Sequence, residues 1–104
     1  MGKLVVSLDN VVIKEFQITK ERTTLGRRPY NDIVIDNLAV SGEHAVLTAA
    51  QSDVFIEDLN STNGVLVNGR RITRQTLKDG DVVLVGKTQF RFAVRPLPAS
   101  ERRA

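Results

Sequence analysis

The chain has 104 residues, of which 41% are hydrophobic and 26% charged, with a formal net charge of +3, and this length and composition fit one soluble globular domain. Because the chain contains no cysteine, a disulfide scaffold, a Cys-ligated metal site and a thiol nucleophile are excluded. No apolar run approaches the ~20 residues that span a bilayer, and no signal-type segment follows Met1, so we expect a cytoplasmic protein without a membrane partner.

Short segments typical of β-strands follow one another along the chain, and none has the length of an amphipathic helix. Clusters of Gly, Pro, Asn, Asp and Ser separate these segments and predict turns. Short strands at this spacing predict a β-sandwich. The predicted strands are residues 3–8, 11–18, 23–25, 33–35, 45–48, 54–56, 65–67, 70–72, 82–85 and 89–94.

Two dipeptides predict tight hairpins, and the chain end predicts a linker. Asn68-Gly69 supplies the two positive φ angles of a type I′ turn, and Asp9-Asn10 divides the first two strands. Pro96 and Pro98 lie in a segment without strand character. We therefore expect one domain over residues 3–94 and a flexible tail or linker over residues 95–104.

The positive charge does not indicate a nucleic-acid partner. The last ten residues carry three Arg and one Glu, so most of the excess positive charge lies in the tail. In a nucleic-acid-binding domain, basic clusters and aromatic residues usually alternate along one face. The aromatic residues of this chain are not interleaved with basic clusters in this way: Phe16, Tyr30, Phe55, Phe90 and Phe92.

Three predicted loops contain residues that suit an anion, and their motifs resemble those of a known family. The motifs are Leu25-Gly-Arg27, Asn31-Asp-Ile33, Ser41-Gly-Glu-His44 and Asn60-Ser-Thr-Asn-Gly64, followed by Val67-Asn-Gly69 and Asp79-Gly-Asp81. In this order and spacing they resemble the forkhead-associated (FHA) domain over roughly residues 3–94. The resemblance implies an all-β, FHA/SMAD-like sandwich of eleven antiparallel strands. It also implies that the loops at one end bind a phosphothreonine peptide.

Arg27 and Ser41 are the candidate phosphate-binding residues. A phosphothreonine carries about −1.5 to −2 charge and three acceptor oxygens, which suit the forked donors of a guanidinium and the O–H of a serine. The resemblance implies both roles. Gly42 follows Ser41 at a position where many family members have a basic or polar side chain that also reaches the phosphate. Glycine offers only its N–H there, so either the affinity is lower or the loop needs a conformation that only glycine allows.

Thr62 and Asn63 complete the predicted binding site. The resemblance implies that the Asn63 amide, which has both donors and acceptors, clamps the peptide backbone. It also implies that Thr62 shapes a pocket for the methyl group that distinguishes phosphothreonine from phosphoserine. Ordinary turn chemistry is the alternative interpretation of both residues.

Four further residues are predicted to support the site. By resemblance, Asn31 braces the recognition loops and His44 bonds the loop that carries the serine. Gly26 and Gly64 are predicted to allow a backbone conformation, or a close approach of another segment, that a side chain would prevent. For His44, the only histidine, a catalytic or metal-binding role is not favoured, because no nucleophile elbow and no further cluster of ligands accompany it. We therefore expect no metal and no cofactor.

The resemblance also bears on specificity and on the alternatives. Ala39 precedes Ser41 on the loop that usually faces the residue three positions after the phosphothreonine. It offers no cation, so we expect no strong acidic preference there, and an apolar residue is the alternative. The sequence predicts a monomeric binding module and not an enzyme, with the phosphothreonine on another protein or on a continuation of this chain. The alternative is a phosphate-independent scaffold or oligomerisation domain with the same fold.

Overall fold

In the computed structural model of the protein, the described residues are 2–8 and 11–94. They form eleven strands and no helix, which confirms the predicted all-β sandwich. No helix in this part of the chain has the length and apolar character needed to cross a membrane. The strands are β1 (Gly2–Leu8), β2 (Val11–Gln17), β3 (Arg22–Gly26), β4 (Ile33–Val34), β5 (Ala45–Ala50), β6 (Asp53–Asp58), β7 (Val65–Val67), β8 (Arg70–Ile72), β9 (Arg74–Leu77), β10 (Val82–Val85) and β11 (Thr88–Val94).

The strands pair into two sheets. One has six strands in the order β2-β1-β11-β10-β7-β8, and the other has five in the order β4-β3-β5-β6-β9. The pairs are antiparallel except that β3 and β4 run parallel, with Leu25 opposite Ile33. The chain leaves β3, forms a loop over residues 27–32 and returns in the same direction. This loop carries Arg27 and Asn31 of the predicted site.

The predicted strands are confirmed to within a few residues at their ends, but strand β9 was not among them. Its residues, Arg74 to Leu77, are mostly polar, and only Leu77 is buried. Hydrophobic periodicity therefore gives no signal here, and pairing with β6 holds the strand in place. The Asp9-Asn10 turn and the tail over residues 95–104 lie outside the described residues.

The Asn68-Gly69 hairpin has the predicted geometry. Asn68 has φ 53° and Gly69 has φ 83°, and Val67 pairs with Arg70 across the turn. Both positive angles belong to a type I′ turn. The Asn68 side chain also bonds to the start of β10 and to the residue before it: its oxygen accepts from the Val82 N–H at 3.0 Å, and its amide nitrogen donates to Asp81 at 2.9 Å.

A single hydrophobic core holds the two sheets together. Alternating side chains along the strands point between the sheets. Its members are buried aliphatic and aromatic residues from both sheets, among them Leu4, Leu25, Ile33, Leu47, Ile56, Val65, Val83, Phe90 and Phe92. In the larger sheet β1 pairs with β11, so that Gly2 lies opposite Val94.

Candidate functional site

The predicted binding residues lie on three loops at one end of the sandwich. The first loop, residues 27–32, follows β3, the second, residues 35–44, precedes β5, and the third, residues 59–64, precedes β7. The turn between β10 and β11 meets them, since a Cβ on Gly86 would lie 2.5 Å from Val40 Cγ2. The topology therefore brings segments that are distant in sequence to one surface.

Arg27 lies on the first loop and bonds to the second. Its backbone N–H donates to the Ser41 carbonyl at 3.0 Å, and its side-chain Nε donates to the Val40 carbonyl at 3.1 Å. The side chain is exposed. Because Nε is fixed by the Val40 carbonyl, the guanidinium has a set orientation. Its two terminal nitrogens have no hydrogen-bond partner among the described residues. Arg27 can therefore present two parallel donors to an oxyanion.

The hydroxyl of Ser41 bonds to the third loop. Its Oγ accepts a hydrogen bond from the Thr62 backbone N–H at 3.1 Å. The Ser41 side chain is half-buried. A hydroxyl has one hydrogen to donate and two lone pairs, so a lone pair is occupied here and the hydrogen stays available. Ser41 can therefore donate to an anion that lies against the second loop.

Asn63 and Thr62 form the exposed tip of the third loop. The Asn63 amide nitrogen donates to the Ala39 carbonyl at 2.8 Å. This bond uses one of its two amide hydrogens and leaves the other, together with the carbonyl oxygen, for a ligand. Asn63 therefore bonds to the second loop and still has a donor and an acceptor for an extended peptide.

His44 joins the second loop to the third loop from inside the protein. Its imidazole is fully buried, Nδ1 accepts the Ser41 backbone N–H at 3.0 Å, and Nε2 lies 2.7 Å from the Gly64 carbonyl. Since Nδ1 must accept, Nε2 carries the proton and donates it to Gly64. Both nitrogens are occupied by the main chain, which leaves none for a substrate or metal.

Asn31 and Gly26 hold the first loop against the second. The buried Asn31 amide donates to the Arg28 carbonyl at 2.8 Å and to the Gly42 carbonyl at 2.7 Å. Gly26 lies beneath this contact, where a Cβ would overlap the Gly42 carbonyl oxygen and lie 2.6 Å from Asn31 Nδ2. The two loops can approach this closely only because residue 26 has no side chain.

Asp58 and Ser61 support the third loop, a role that was not predicted from the sequence. Ser61 is buried, its hydroxyl donates to Asp58 Oδ1, and the same hydroxyl oxygen accepts the Gly64 N–H at 2.9 Å. The Ser61 N–H also donates to Asp58 Oδ1 at 3.1 Å. The spacing Asp-x-x-Ser-x-x-Gly is the available signal, because short polar side chains bond to backbone groups three residues away. Gly64 itself has φ 81°, in the left-handed region that favours glycine.

Two pairs of side chains stabilise the first loop from the outside. Lys20 donates to Asp32 Oδ1 at 2.5 Å, and the Thr24 N–H donates to Asp32 Oδ2 at 2.9 Å. The Lys20 and Thr24 donors hold the pKa of the Asp32 carboxyl below its ordinary value. The Tyr30 hydroxyl donates to Glu43, and this bond raises the pKa of the Tyr30 phenol.

The described residues contain no group of three or more His, Asp or Glu side chains placed to hold a metal ion. What the three loops do bring together is a guanidinium, a hydroxyl and a side-chain amide. These groups are donors suited to an anion attached to an extended chain. The family model of the FHA domain matches residues 23–86, which include all three loops.

The chain belongs to the FHA family. This confirms the resemblance based on the loop motifs. Among relatives, the FHA domain is 42% identical over 69 residues to an ABC transporter ATP-binding/permease protein of Mycobacterium tuberculosis, a match over 66% of this chain and 8% of the transporter. It is 33% identical over 95 residues to the oxoglutarate dehydrogenase inhibitor of Corynebacterium diphtheriae, which covers 91% of this chain and 66% of the inhibitor.

A solved structure extends the comparison to three dimensions. The FHA domain superposes on Mycobacterium tuberculosis EmbR, in complex with a low-affinity phosphopeptide, with a TM-score of 0.84 and 31% identity. The match covers 93% of this chain and 25% of EmbR. The chain thus spans only part of the length of these relatives.

Proposed function

We propose that this FHA domain binds peptides and proteins that carry phosphothreonine and acts as a signalling adaptor. The observation that carries the proposal is the arrangement of Arg27 and Ser41. The Arg27 guanidinium is fixed through Nε to the Val40 carbonyl, and the Ser41 hydroxyl is fixed by the N–H of Thr62. Both groups keep their remaining donors, and their backbones are bonded to each other.

Each candidate residue has a distinct role in this proposal. The terminal nitrogens of Arg27 bind two phosphate oxygens, and the Ser41 O–H donates to a phosphate oxygen. Asn63 uses its free amide hydrogen and oxygen to clamp the peptide backbone. Thr62, exposed beside Asn63, lines the pocket for the γ-methyl group. Rigid loops that already hold their donors in place lose less conformational entropy on binding, which favours affinity.

The relatives support this proposal. EmbR, which shares the fold at 31% identity, has been solved with a phosphopeptide, and FHA domains are binding modules. We propose the same kind of ligand, a phosphopeptide, for the three loops of this chain. It adds no catalytic step, since the buried imidazole of His44 is bonded on both sides by the main chain.

Titration of one peptide in three forms tests the proposal. A degenerate peptide mixture with a fixed central phosphothreonine is first used to choose a binding sequence. That sequence is then titrated with Thr, phosphothreonine or phosphoserine at the centre. We expect phosphothreonine to bind at least about tenfold more tightly than Thr, because each charge-assisted hydrogen bond contributes about 1.5–3 kcal/mol. Equal binding of all three forms would favour a phosphate-independent scaffold and overturn the proposal.

A pair of arginine variants adds a control for charge. Arg27→Ala removes the fixed guanidinium, whereas Arg91→Gln removes one exposed positive charge from β11. We expect Arg27→Ala to abolish measurable phosphopeptide binding and Arg91→Gln to leave it unchanged. Arg91→Gln should unfold at nearly the wild-type temperature because it is exposed, and Arg27→Ala only slightly below it because one part-buried hydrogen bond to Val40 is lost.

The setting of this function is part of the same proposal. A Ser/Thr kinase must phosphorylate the threonine, and a monomeric cytoplasmic domain over residues 3–94, with a tail over 95–104, then binds the phosphothreonine. Light scattering after gel filtration tests the monomer, and limited proteolysis tests the domain boundary. Competition with duplex DNA at physiological salt tests the expectation that nucleic acid is not a partner. The salt concentration is fixed because the affinity of proteins that bind the DNA phosphate backbone depends strongly on salt.

A further inference from the structure

Gly42, next to the candidate phosphate-binding serine, is covered by the side chain of Arg28. A Cβ on Gly42 would lie 2.9 Å from Arg28 Nε, 3.1 Å from its Cγ and 3.4 Å from its Cδ. The φ angle of Gly42 lies outside the left-handed region, so other residues could adopt this backbone conformation. The absence of a side chain at residue 42 therefore serves to make room for Arg28 rather than to permit an unusual loop.

The charge of Arg28 is not neutralised within the part of the chain that the structure describes. Its guanidinium has no hydrogen bond and no ion pair with any side chain or backbone group that the structure describes. The nearest carboxylate in sequence to Gly42 is Glu43, which accepts the hydrogen bond of the Tyr30 hydroxyl instead. All the guanidinium donors of Arg28 thus remain available to a ligand.

Arg28 and Arg27 line the same cleft. Together with Pro29 and Gly42 they line an open cavity of about 320 Å³. A phosphate monoester carries about −1.5 to −2 charge and three strong acceptor oxygens. Two donors from Arg27 and one from Ser41 do not satisfy all the lone pairs of the phosphate oxygens. They also leave part of the phosphate charge without a cation. A second guanidinium in the same cleft supplies what is missing.

We propose that Arg28, which lies over Gly42, is a second phosphate-binding cation of this site. The inference rests on the proposed phosphothreonine-binding function and deepens it. Gly42 and Arg28 then act as one unit, in which the glycine leaves the space that the arginine side chain crosses. A side chain at residue 42 would displace Arg28 from the cleft and weaken binding, even though residue 42 itself contributes no side-chain contact.

A double-mutant cycle tests this coupling. The variants are Arg28→Gln, Gly42→Ala and the double variant, each titrated with the fluorescein-labelled phosphothreonine peptide chosen above. Arg91→Gln serves as the control for loss of one exposed arginine. We expect Arg28→Gln and Gly42→Ala each to weaken binding about five- to tenfold. The double variant should be no weaker than Arg28→Gln alone, because the alanine then has no arginine to displace.

The dependence of binding on salt provides a second measurement. Loss of a phosphate-contacting cation makes binding less sensitive to ionic strength, so Arg28→Gln should show a shallower dependence than both the wild type and Arg91→Gln. Thermal unfolding of all four variants should be close to the wild type, because the Arg28 head group has no partner in the described part of the protein.

The possible outcomes separate this inference from the proposed function. If the wild type prefers phosphothreonine and Arg27→Ala abolishes binding while Arg28→Gln binds normally, the role of Arg28 is overturned and the proposed function stands. If the effects of Arg28→Gln and Gly42→Ala simply add, the two residues act independently and the coupling is overturned. If the wild type does not distinguish phosphothreonine from threonine, both proposals fail.

Discussion

The Ser41 hydroxyl accepts a hydrogen bond from the backbone N–H of Thr62, which lies 21 residues further along the chain, at 3.1 Å. This contact joins the loop that carries the phosphate-binding candidate to the loop that carries the peptide-clamping candidate. It also orients the hydroxyl, because the oxygen that accepts from Thr62 must send its own hydrogen elsewhere. Ser41 is thus a donor held in place before a ligand arrives.

Replacement of Ser41 by alanine should affect binding much more than stability. Ser41→Ala removes both the donor and the bond to Thr62, and we expect the affinity for a phosphothreonine peptide to fall at least about tenfold. The melting temperature should fall by less than about 5 °C, since one half-exposed hydrogen bond is lost. Titration and thermal unfolding of Ser52→Ala, an exposed serine in the β5–β6 turn, provide the control. Unchanged affinity in Ser41→Ala would contradict the assigned role.

The bonds of His44 predict the tautomer of its ring. Nδ1 accepts the Ser41 N–H, so the neutral imidazole must carry its hydrogen on Nε2, where it donates to the Gly64 carbonyl. Long-range proton–nitrogen NMR correlations distinguish the two tautomers directly. We expect a single Nε2–H form, unchanged when a phosphopeptide is added, because the ring faces the interior. A ring protonated on Nδ1, or an exchange between tautomers, would contradict this geometry.

The close approach at Gly26 predicts a strong effect of one methyl group. In Gly26→Ala the new Cβ would meet the Gly42 carbonyl and the Asn31 amide, and the two loops would have to separate. We expect a loss of about 1–3 kcal/mol in the free energy of unfolding, measured in urea, and a clear loss of phosphopeptide binding.

Gly80→Ala is the matched control for Gly26→Ala. Gly80 lies between β9 and β10 with no atom near a new Cβ, but its φ of 89° makes alanine strained. This variant should also lose about 1 kcal/mol of stability, yet it should bind the phosphopeptide normally. Normal binding by Gly26→Ala as well would show that the loop contact is not needed for recognition.

The ionisation of Asp32 predicts a pH dependence of stability. Lys20 and Thr24 lower its pKa in the folded protein below the ordinary value of 3.8. The resulting stabilisation is complete above that value and disappears as the pH falls through the lower pKa of the folded state. Asp32→Asn should therefore be less stable than the wild type at pH 7, by at most about 1 kcal/mol for a partly exposed pair.

The difference between Asp32→Asn and the wild type should close as the pH falls below 3.8, when the wild-type carboxyl also becomes neutral. Urea denaturation at pH 7 and at a series of acidic pH values measures it. Asp53→Asn, at an exposed position on β6, controls for a general change of net charge. A difference that stays constant over the whole pH range would exclude the ion pair with Lys20 as its source.

The second loop predicts the peptide sequence preference. Residues 35–40 contain no basic residue, and they include Asp36 and an almost fully exposed Leu38, 90% accessible. An acidic residue three positions after the phosphothreonine would find no cation there, so we expect apolar residues to be preferred. Peptide libraries with Asp, Lys or Ile fixed at that position measure the preference. Selection of Asp as the clear choice would contradict it.

Much of the fold could be predicted from the sequence because the buried strands have apolar patterns of their own. Strands such as β7 and β10 are runs of valine and leucine, and the Asn68-Gly69 turn follows from the φ angles that those two residues tolerate. Strand β9 could not be predicted, since only one of its residues is buried and its position depends on pairing with β6.

For the site, the sequence identified which loops and residues to consider, but not how they contact one another. The bonds from Ser41 to Thr62 and from Asn63 to Ala39 depend on how loops from different parts of the chain approach in space. The same is true of Arg28, which the sequence could not connect with Gly42. Local patterns cannot reveal such contacts, because they arise only when the two sheets pack.

The pairing of Gly2 with Val94 has a consequence for how this domain can be used. Val94 and the turn at residues 51–53 line the same cavity, so both described ends of the chain emerge at the end of the sandwich opposite the three loops. A fluorescent protein or an affinity tag joined directly before residue 2 or after residue 94 would start from the end of the sandwich away from the binding surface. The domain could therefore serve as a portable reagent for capturing phosphorylated proteins on a solid support.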